Sequence, residues 1–224
     1  MRLGGIILIY ITGDTHADLK RFEKVKLKDK DTLIICGDFG FIWDGGEKEE
    51  KILKKIGNQK YTTLFLDGTH ENFDLLKKYE ITSLNGANVR KIHGNLYHLM
   101  RGQIITLEGK NIFVFGGGES TDKEMRISCN KWWGEELPTI NEMKDAVCEL
   151  NKIDRNVDYI ITHEPPAFIK NIVNSSLRLN ALNKFLDDVA KEVKFKHWYF
   201  GSVHLNKEFT QKYSAIFNNI IKLL

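Results

Sequence analysis

Five short apolar runs along the chain are each followed by an aspartate or a histidine. They occupy residues 6–11, 32–36, 61–66, 157–162 and 197–200, and the acidic and imidazole residues that follow them are Asp14, His16, Asp38, Asp67, His70, His163 and His204. Apolar runs of this length, bounded by glycine and polar residues, predict buried strands. Because ligand sites of α/β proteins form where strands end, we expect these side chains to converge.

The intervening segments have the period of helices, and their apolar positions predict helices over 17–25, 47–56, 72–79, 139–152 and 176–193. Thr139 and Glu142 form a capping box at the start of the fourth. Between residues 81 and 115, short runs separated by turn signals predict an antiparallel meander. Residues 121–137 read as irregular, and the tail at 215–221 is left open between strand and helix. The whole predicts an α/β domain with a mixed sheet.

The chain has 224 residues and no linker-like or low-complexity block, so we expect one domain over 1–224. No run approaches the roughly 18 to 20 apolar residues that span a bilayer. The first run has no small-residue cleavage site and is interpreted as a strand, not a signal peptide. Three cysteines without paired spacing are typical of a reducing compartment, so we expect a cytoplasmic protein without membrane association.

The formal net charge is only +3, which by itself does not indicate a nucleic-acid binder. A local basic groove is not excluded by that balance, so a nuclease remains one of three alternatives.

Carboxylates and imidazoles are the ligands preferred by divalent ions such as Mn, Fe, Zn or Ni, and no cysteine stands at these strand ends to build a structural zinc cage. Four of the seven histidines lie at such ends. Any one of them alone is more simply a core or turn residue. Together they predict a metal site.

The ordered motifs GDTH (13–16), GDF (37–39), GTHEN (68–72), TH (162–163) and GSVH (201–204) resemble those of the calcineurin-like metallophosphoesterase family. The segments 98–103, 132–138 and 197–201 are similar to a branch common among bacteria and phages. The resemblance implies two mixed β-sheets packed face to face with helices outside. It also implies two metal ions held by the loops.

By the same resemblance, Asp14, His16 and His204 bind the first ion, Asp38 bridges both ions, and His163 binds the second. His70 corresponds to the general acid of the family, with Glu71 in place of the usual aspartate beside it.

Two positions depart from the family pattern: Thr69 stands in place of an asparagine and Ser202 in place of a histidine. In the family, that asparagine and that histidine both bind the second ion. We therefore expect one firm metal site and a second that is weak, completed by water or empty. Arg101 and Arg126 are candidates for contacting the substrate phosphate, although each could equally be a surface arginine.

The function implied is hydrolysis of phosphate mono- or diesters by a metal-bound hydroxide, with His70 protonating the leaving group. The alternative is an impaired metal-binding domain that acts as a binding or regulatory module. A phosphate ester is the expected partner. Its chemical class, the physiological metal and the oligomeric state are left open.

Overall fold

The computed structural model describes residues 7–23 and 25–223, and within them thirteen strands form two sheets. The strands are β1 (Ile9–Thr12), β2 (Thr32–Ile35), β3 (Thr62–Phe65), β4 (Ile81–Leu84), β5 (Ala87–His93), β6 (Leu96–Leu99), β7 (Gln103–Leu107), β8 (Lys110–Phe115), β9 (Tyr159–Thr162), β10 (His197–Phe200), β11 (Lys207–Thr210), β12 (Tyr213–Ala215) and β13 (Ile221–Lys222). Strand β1 begins at Ile9, so it takes up only residues 9–11 of the run at 6–11, and Ile6 lies outside the described residues.

Both sheets are mixed. The seven-stranded sheet has the order β13-β1-β2-β3-β6-β5-β4, with β1, β2, β3 and β6 parallel. The six-stranded sheet has the order β11-β12-β10-β9-β8-β7, with β8, β9, β10 and β12 parallel. Parallel strands place their carboxyl ends at one edge, which is where the polar residues that follow them meet.

The helices are α1 (Leu19–Glu23), α2 (Glu47–Gly57), α3 (Phe73–Leu76), α4 (Lys123–Ser128), α5 (Ile140–Asn151), α6 (Ala167–Val173) and α7 (Ala181–Glu192), with a 3-10 turn at Gly134–Glu136. The apolar core between the sheets contains residues of both, such as Ile11 and Ile34 facing Val114 and Ile161. A second core packs the six-stranded sheet against α5, α6 and α7, and a third packs the other sheet against α1, α2 and α3. The predicted sandwich of two mixed sheets with helices outside is therefore confirmed.

Several local predictions were wrong. The helix predicted over 176–193 begins only at Ala181, because the Asn180 side chain accepts a hydrogen bond from Asn183 N and caps it there. The stretch at 121–137 contains α4, and α6 follows the two prolines, where no helix was predicted. The meander does not stay in one sheet, since β4 to β6 join the first sheet and β7 and β8 the second. The helix expected over 17–25 corresponds to α1, and its position 24 lies outside the described residues.

Across the described part of the chain, every helix is too short or too polar to cross a bilayer. The thiols of Cys36, Cys129 and Cys148 are free, Cys36 being buried and the other two exposed.

Candidate metal centre

Loops at the ends of β1, β2 and β10 bring the predicted ligands together. The carbonyl oxygen of Asp38 accepts from the backbone N–H groups of Thr15 and His16 at 3.1 and 2.9 Å, so the first two loops are joined. Five non-glycine residues of these loops have left-handed backbones: His16 (φ 45°), Ala17 (φ 58°), Asp38 (φ 42°), Ser202 (φ 51°) and His204 (φ 51°). Such backbones cost roughly 1–3 kcal/mol each in residues other than glycine and cluster at functional sites.

Asp14, His16 and His204 form one group of potential ligand atoms, all within 4.8 Å of one another. The two Nε2 atoms of the histidines face each other at 2.9 Å, and Asp14 Oδ2 lies 3.2 Å from His204 Nε2. That oxygen is buried, and no donor among the described residues reaches it with hydrogen-bond geometry. A buried carboxylate oxygen is costly without a partner. A divalent ion would satisfy it together with both imidazoles, so these residues fit the predicted group.

Asp38 belongs to a second group, with His16 and His70. Its Oδ1 accepts from the backbone N–H groups of Thr69 and His70, and its Oδ2 lies 2.7 Å from His70 Nδ1. Asp38 was predicted to bridge two ions. Both of its carboxylate oxygens accept from protein donors, and Oδ2 lies 3.8 Å from His16 Nδ1 of the first group. Its bridging of two ions stays a prediction.

His163 is buried between the two carboxylates and belongs to neither group. Its Nδ1 lies 3.5 Å from Asp14 Oδ1 and its Nε2 3.6 Å from Asp38 Oδ1. Burial would lower the pKa of His163, but Asp38 and Asp14 raise it to about 10. Burial would likewise raise the pKa of both aspartates, and the facing imidazoles, led by His163, lower it below the ordinary value.

Gly68 is required beneath this cluster, since a Cβ there would lie 2.2 Å from Asp38 Oδ1 and 2.7 Å from His163 Nε2. Glu71 holds the same turn: its carboxylate accepts from Gly68 N and from Phe39 N, each at 2.7 Å. Burial, with Asp38 nearby, raises the pKa of Glu71 to about 8. Glu71 therefore joins the loops after β2 and β3 through their backbones.

The two residues that depart from the family pattern both lie beside the aspartates. Thr69 Oγ1 is 3.3 Å from Asp38 Oδ2 and 3.2 Å from His70 Nδ1. Ser202 donates its backbone N–H to Asp14 Oδ1 at 3.3 Å, and it lines the cleft in front of the histidines.

The two candidate arginines have different surroundings. Arg126, on α4, lies at the cleft with its Nη2 3.2 Å from His70 Nε2, and it is held by Asp122 at 2.7 Å. Arg101 is buried behind the cleft, where its Nε donates to Asp67 Oδ2 at 2.8 Å and its Nη2 to the carbonyl of Glu135 at 2.6 Å. The prediction that Arg101 contacts substrate is corrected, because its guanidinium neutralises a buried carboxylate.

The sequence did not predict the ion pair between Arg101 and Asp67. His98 completes it as a buried residue whose Nε2 lies 2.9 Å from Asp67 Oδ1. A second missed network joins Lys170 to Glu164 at 2.8 Å, beside His163. The sequence pattern indicated neither network, because the residues that pair in each are not neighbours in the chain.

The cleft has a volume of about 1050 Å³ and extends from the metal candidates to α4 and α6. Apart from Asp38 and the histidines, the charged side chains that line the cleft are four basic and four acidic ones: Lys123, Arg126, Lys170 and Arg178, and Glu119, Asp122, Glu124 and Glu164. Aliphatic side chains, including Met125, Val173 and Leu177, line its outer part.

Comparison with known families finds that the profile of the calcineurin-like phosphoesterases matches residues 7–209. A comparison with curated proteins finds no match. Among solved structures, the chain is similar to a phosphopantetheinyl hydrolase from Mycobacterium tuberculosis, with 11% identity, a TM-score of 0.48, and coverage of 96% of this chain and 91% of that one. It is also similar to a protein of unknown function from Aquifex aeolicus, with 14% identity, a TM-score of 0.38, and coverage of 85% and 88%. At these scores neither structure indicates an activity or a substrate.

Proposed function

Since this chain belongs to the calcineurin-like phosphoesterase family, whose members hydrolyse phosphoesters with divalent metals, we propose that it is a single-domain hydrolase of small phosphate mono- or diesters. The observation that carries the proposal is the convergence of Asp14, His16 and His204, with Asp14 Oδ2 buried and without a hydrogen-bond donor in the described part of the chain. Carboxylate and imidazole donors suit Mn, Fe, Zn or Ni.

A bound divalent ion supplies Lewis acidity at phosphorus and lowers the pKa of water. The protein supplies position and charge. Asp38 Oδ2 accepts a hydrogen bond from His70 Nδ1, and this contact turns Nε2 toward the cleft, where it lies 3.2 Å from Arg126 Nη2. With a proton on each ring nitrogen, His70 would give the Nε2 proton to a leaving-group oxygen that replaces its direct contact with Arg126, and the guanidinium would stabilise the charge on that oxygen.

We further propose that metal binding is unequal. Asp14 has an oxygen free to bind, whereas Asp38 shares both of its oxygens with backbone or imidazole donors. Hydroxyl groups at Thr69 and Ser202 are weaker ligands than amide or imidazole for borderline ions. A second ion at Asp38 and His163 would therefore bind less tightly and limit turnover.

The cleft favours a small ester over a nucleic acid. A polyanionic backbone requires an excess of basic residues, and the lining of this cleft, with Asp38 included, has five carboxylates against four lysines and arginines. Its volume exceeds that of a phosphate group several times, and its outer lining is aliphatic. We propose a substrate with an organic group that occupies this outer part.

The test is metal stoichiometry measured together with hydrolysis. The protein is dialysed free of metal, Mn²⁺ or Ni²⁺ is added stepwise, and bound metal is followed alongside hydrolysis of p-nitrophenyl phosphate and bis-p-nitrophenyl phosphate. We expect one tight and one weak ion, with hydrolysis that rises as the weak site fills. His70→Gln should leave the tight site unchanged, and it should slow hydrolysis of an alkyl phosphate far more than that of p-nitrophenyl phosphate, whose leaving group needs little protonation.

The matched control is His93→Gln, since His93 lies in β5, outside the cleft lining. Binding of one ion with no hydrolysis at any metal concentration would favour the alternative, a metal-binding module that has lost catalysis. Equal losses in the two histidine variants would remove His70 from the proposed mechanism.

A further inference from the structure

The C-terminal part of the chain crosses from one sheet to the other beside the candidate ligands. Strand β12 belongs to the six-stranded sheet and β13 to the seven-stranded sheet, where β13 pairs antiparallel with β1. Residues 216–220, here called the crossing segment, connect these strands. They lie beyond residue 209, where the family match ends.

The backbone of Phe217 joins the two ligand loops. Its carbonyl oxygen accepts from Gly13 N at 2.9 Å and from Arg21 Nη2 at 2.5 Å, and its N–H donates to Asn206 Oδ1 at 3.0 Å. Gly13 precedes Asp14, and Asn206 follows His204 by two residues. One residue of the crossing segment therefore holds the loop after β1 and the loop after β10 at a fixed separation.

Arg21 extends this connection to Asp14 itself. Its Nη1 donates to the carbonyl oxygen of Asp14, and its Nη2 donates to Thr12 Oγ1 at 2.6 Å. The approach of the crossing segment is so close that a Cβ on Gly13 would lie 2.1 Å from Ile216 O.

The ring of Phe217 stacks on the imidazole of His204, with centroids 4.7 Å apart and planes inclined by 30°. The His204 side chain is 49% exposed and its backbone is left-handed. Its other close contacts here, His16 and Asp14, are themselves candidate ligands. An exposed imidazole would otherwise sample several rotamers, so the stacked ring selects the one that faces Asp14.

We propose that Phe217, together with Arg21, is a positioning residue of the first metal group: it holds His204 and the Asp14 loop in the arrangement that receives the ion. This inference rests on the proposed function, because it assumes that Asp14, His16 and His204 bind a metal. It assigns a role in the site to a segment that the family match does not include.

The test compares Mn²⁺ affinity, by calorimetric titration of the metal-free protein, between the unchanged chain and Phe217→Ala. Residues that orient metal ligands typically contribute about 10- to 100-fold in affinity, and we expect a loss in that range. The visible spectrum of the Co²⁺-loaded protein should also change, since its bands report ligand geometry. Phe217→Tyr keeps the stacked ring and should restore both the affinity and the spectrum.

Phe209→Ala is the matched control, because Phe209 is a partly buried aromatic residue that stacks on Phe200 at 6.0 Å and does not line the cleft. It should leave Mn²⁺ affinity unchanged. If Phe217→Ala does not fold, Phe217→Leu retains an apolar side chain without the ring and should show the same loss.

Affinity in the folded Phe217 variant equal to that of the unchanged chain, or lowered no more than in Phe209→Ala, would overturn the inference and leave the proposed function standing. Absence of any Mn²⁺ binding by the unchanged chain would overturn both.

Discussion

The two sides of the cleft differ in what their aspartates have left to bind. Asp14 is buried with Oδ2 free of hydrogen-bond donors among the described residues, and two imidazoles face it. Asp38 is equally buried, yet both of its oxygens accept from the turn at Thr69 and His70. The Asp14 carboxylate therefore has an oxygen available for a cation, whereas hydrogen bonds from the protein already satisfy the Asp38 carboxylate. The proposed inequality of the two metal sites rests on that difference.

A third carboxylate at a strand end, that of Asp67, binds cationic side chains of the protein. Asp67 ends the run that forms β3, adjacent to the strand that delivers Asp38, but Arg101 and His98 bind its oxygens. Burial would raise its pKa, and Arg101 with His98 lowers it instead. Asp67 is thus a structural residue. A strand-end position is shared by all three aspartates, and the cations around each decide its role.

The largest expected effect is that of Arg101→Ala. Removing one member of a buried ion pair typically costs about 3–5 kcal/mol, and a chain of this size should lose roughly 10 °C in melting temperature. Chemical and thermal unfolding measure this. Arg155→Ala, at a half-exposed pair with Glu192, should cost no more than about 1 kcal/mol. Loss of hydrolysis at unchanged stability would return Arg101 to the substrate-binding role that the sequence predicted.

Next in size is the dependence of His70→Gln on the leaving group. General acid catalysis contributes about 100-fold or more, and it matters most when an alkoxide departs. We expect a loss of that order on an alkyl phosphate and a much smaller one on p-nitrophenyl phosphate, measured as kcat. Equal losses on both would mean that His70 acts on binding and not on proton transfer.

A smaller effect, and the most direct on the inequality of the two sites, is expected from Thr69→Asn combined with Ser202→His. Adding an amide beside Asp38 and an imidazole at the cleft beside Asp14 should raise affinity for the second ion by at least about tenfold, the lower end of what metal-site partners contribute. Calorimetric titration with Mn²⁺ measures it, with the tight site as internal reference. An unchanged weak site would show that the hydrogen bonds to Asp38, rather than the missing ligands, limit the second ion.

The smallest expected effect is that of Thr139→Ala, which removes the capping box of α5 on the helical outer layer. Loss of such a cap costs about 1 kcal/mol, or roughly 2–4 °C in melting temperature for a chain of this size. Mn²⁺ affinity should not change. A decrease in affinity here would mean that general destabilisation alone affects the site, and the Phe217 result would need to exceed it.

The sequence by itself determined the strands that build the site, the apolar faces of the longer helices, and the cap at Thr139. These features depend on neighbours within a few positions, so periodicity and capping chemistry predict them. The spacing of aspartates and histidines after the strands also indicated which side chains could meet. It left open which of those carboxylates would be free.

Only the tertiary structure decided that question, because the deciding partners are far apart in the chain. Arg101 lies 34 positions from Asp67, and Arg21 lies 196 positions from Phe217. The division of the meander between two sheets also depends on distant partners, since β6 pairs with β3 and not with β7, the next strand in the chain. Packing of the whole chain decides charge pairing, close backbone approach and strand pairing across such separations. The local sequence pattern does not predict them.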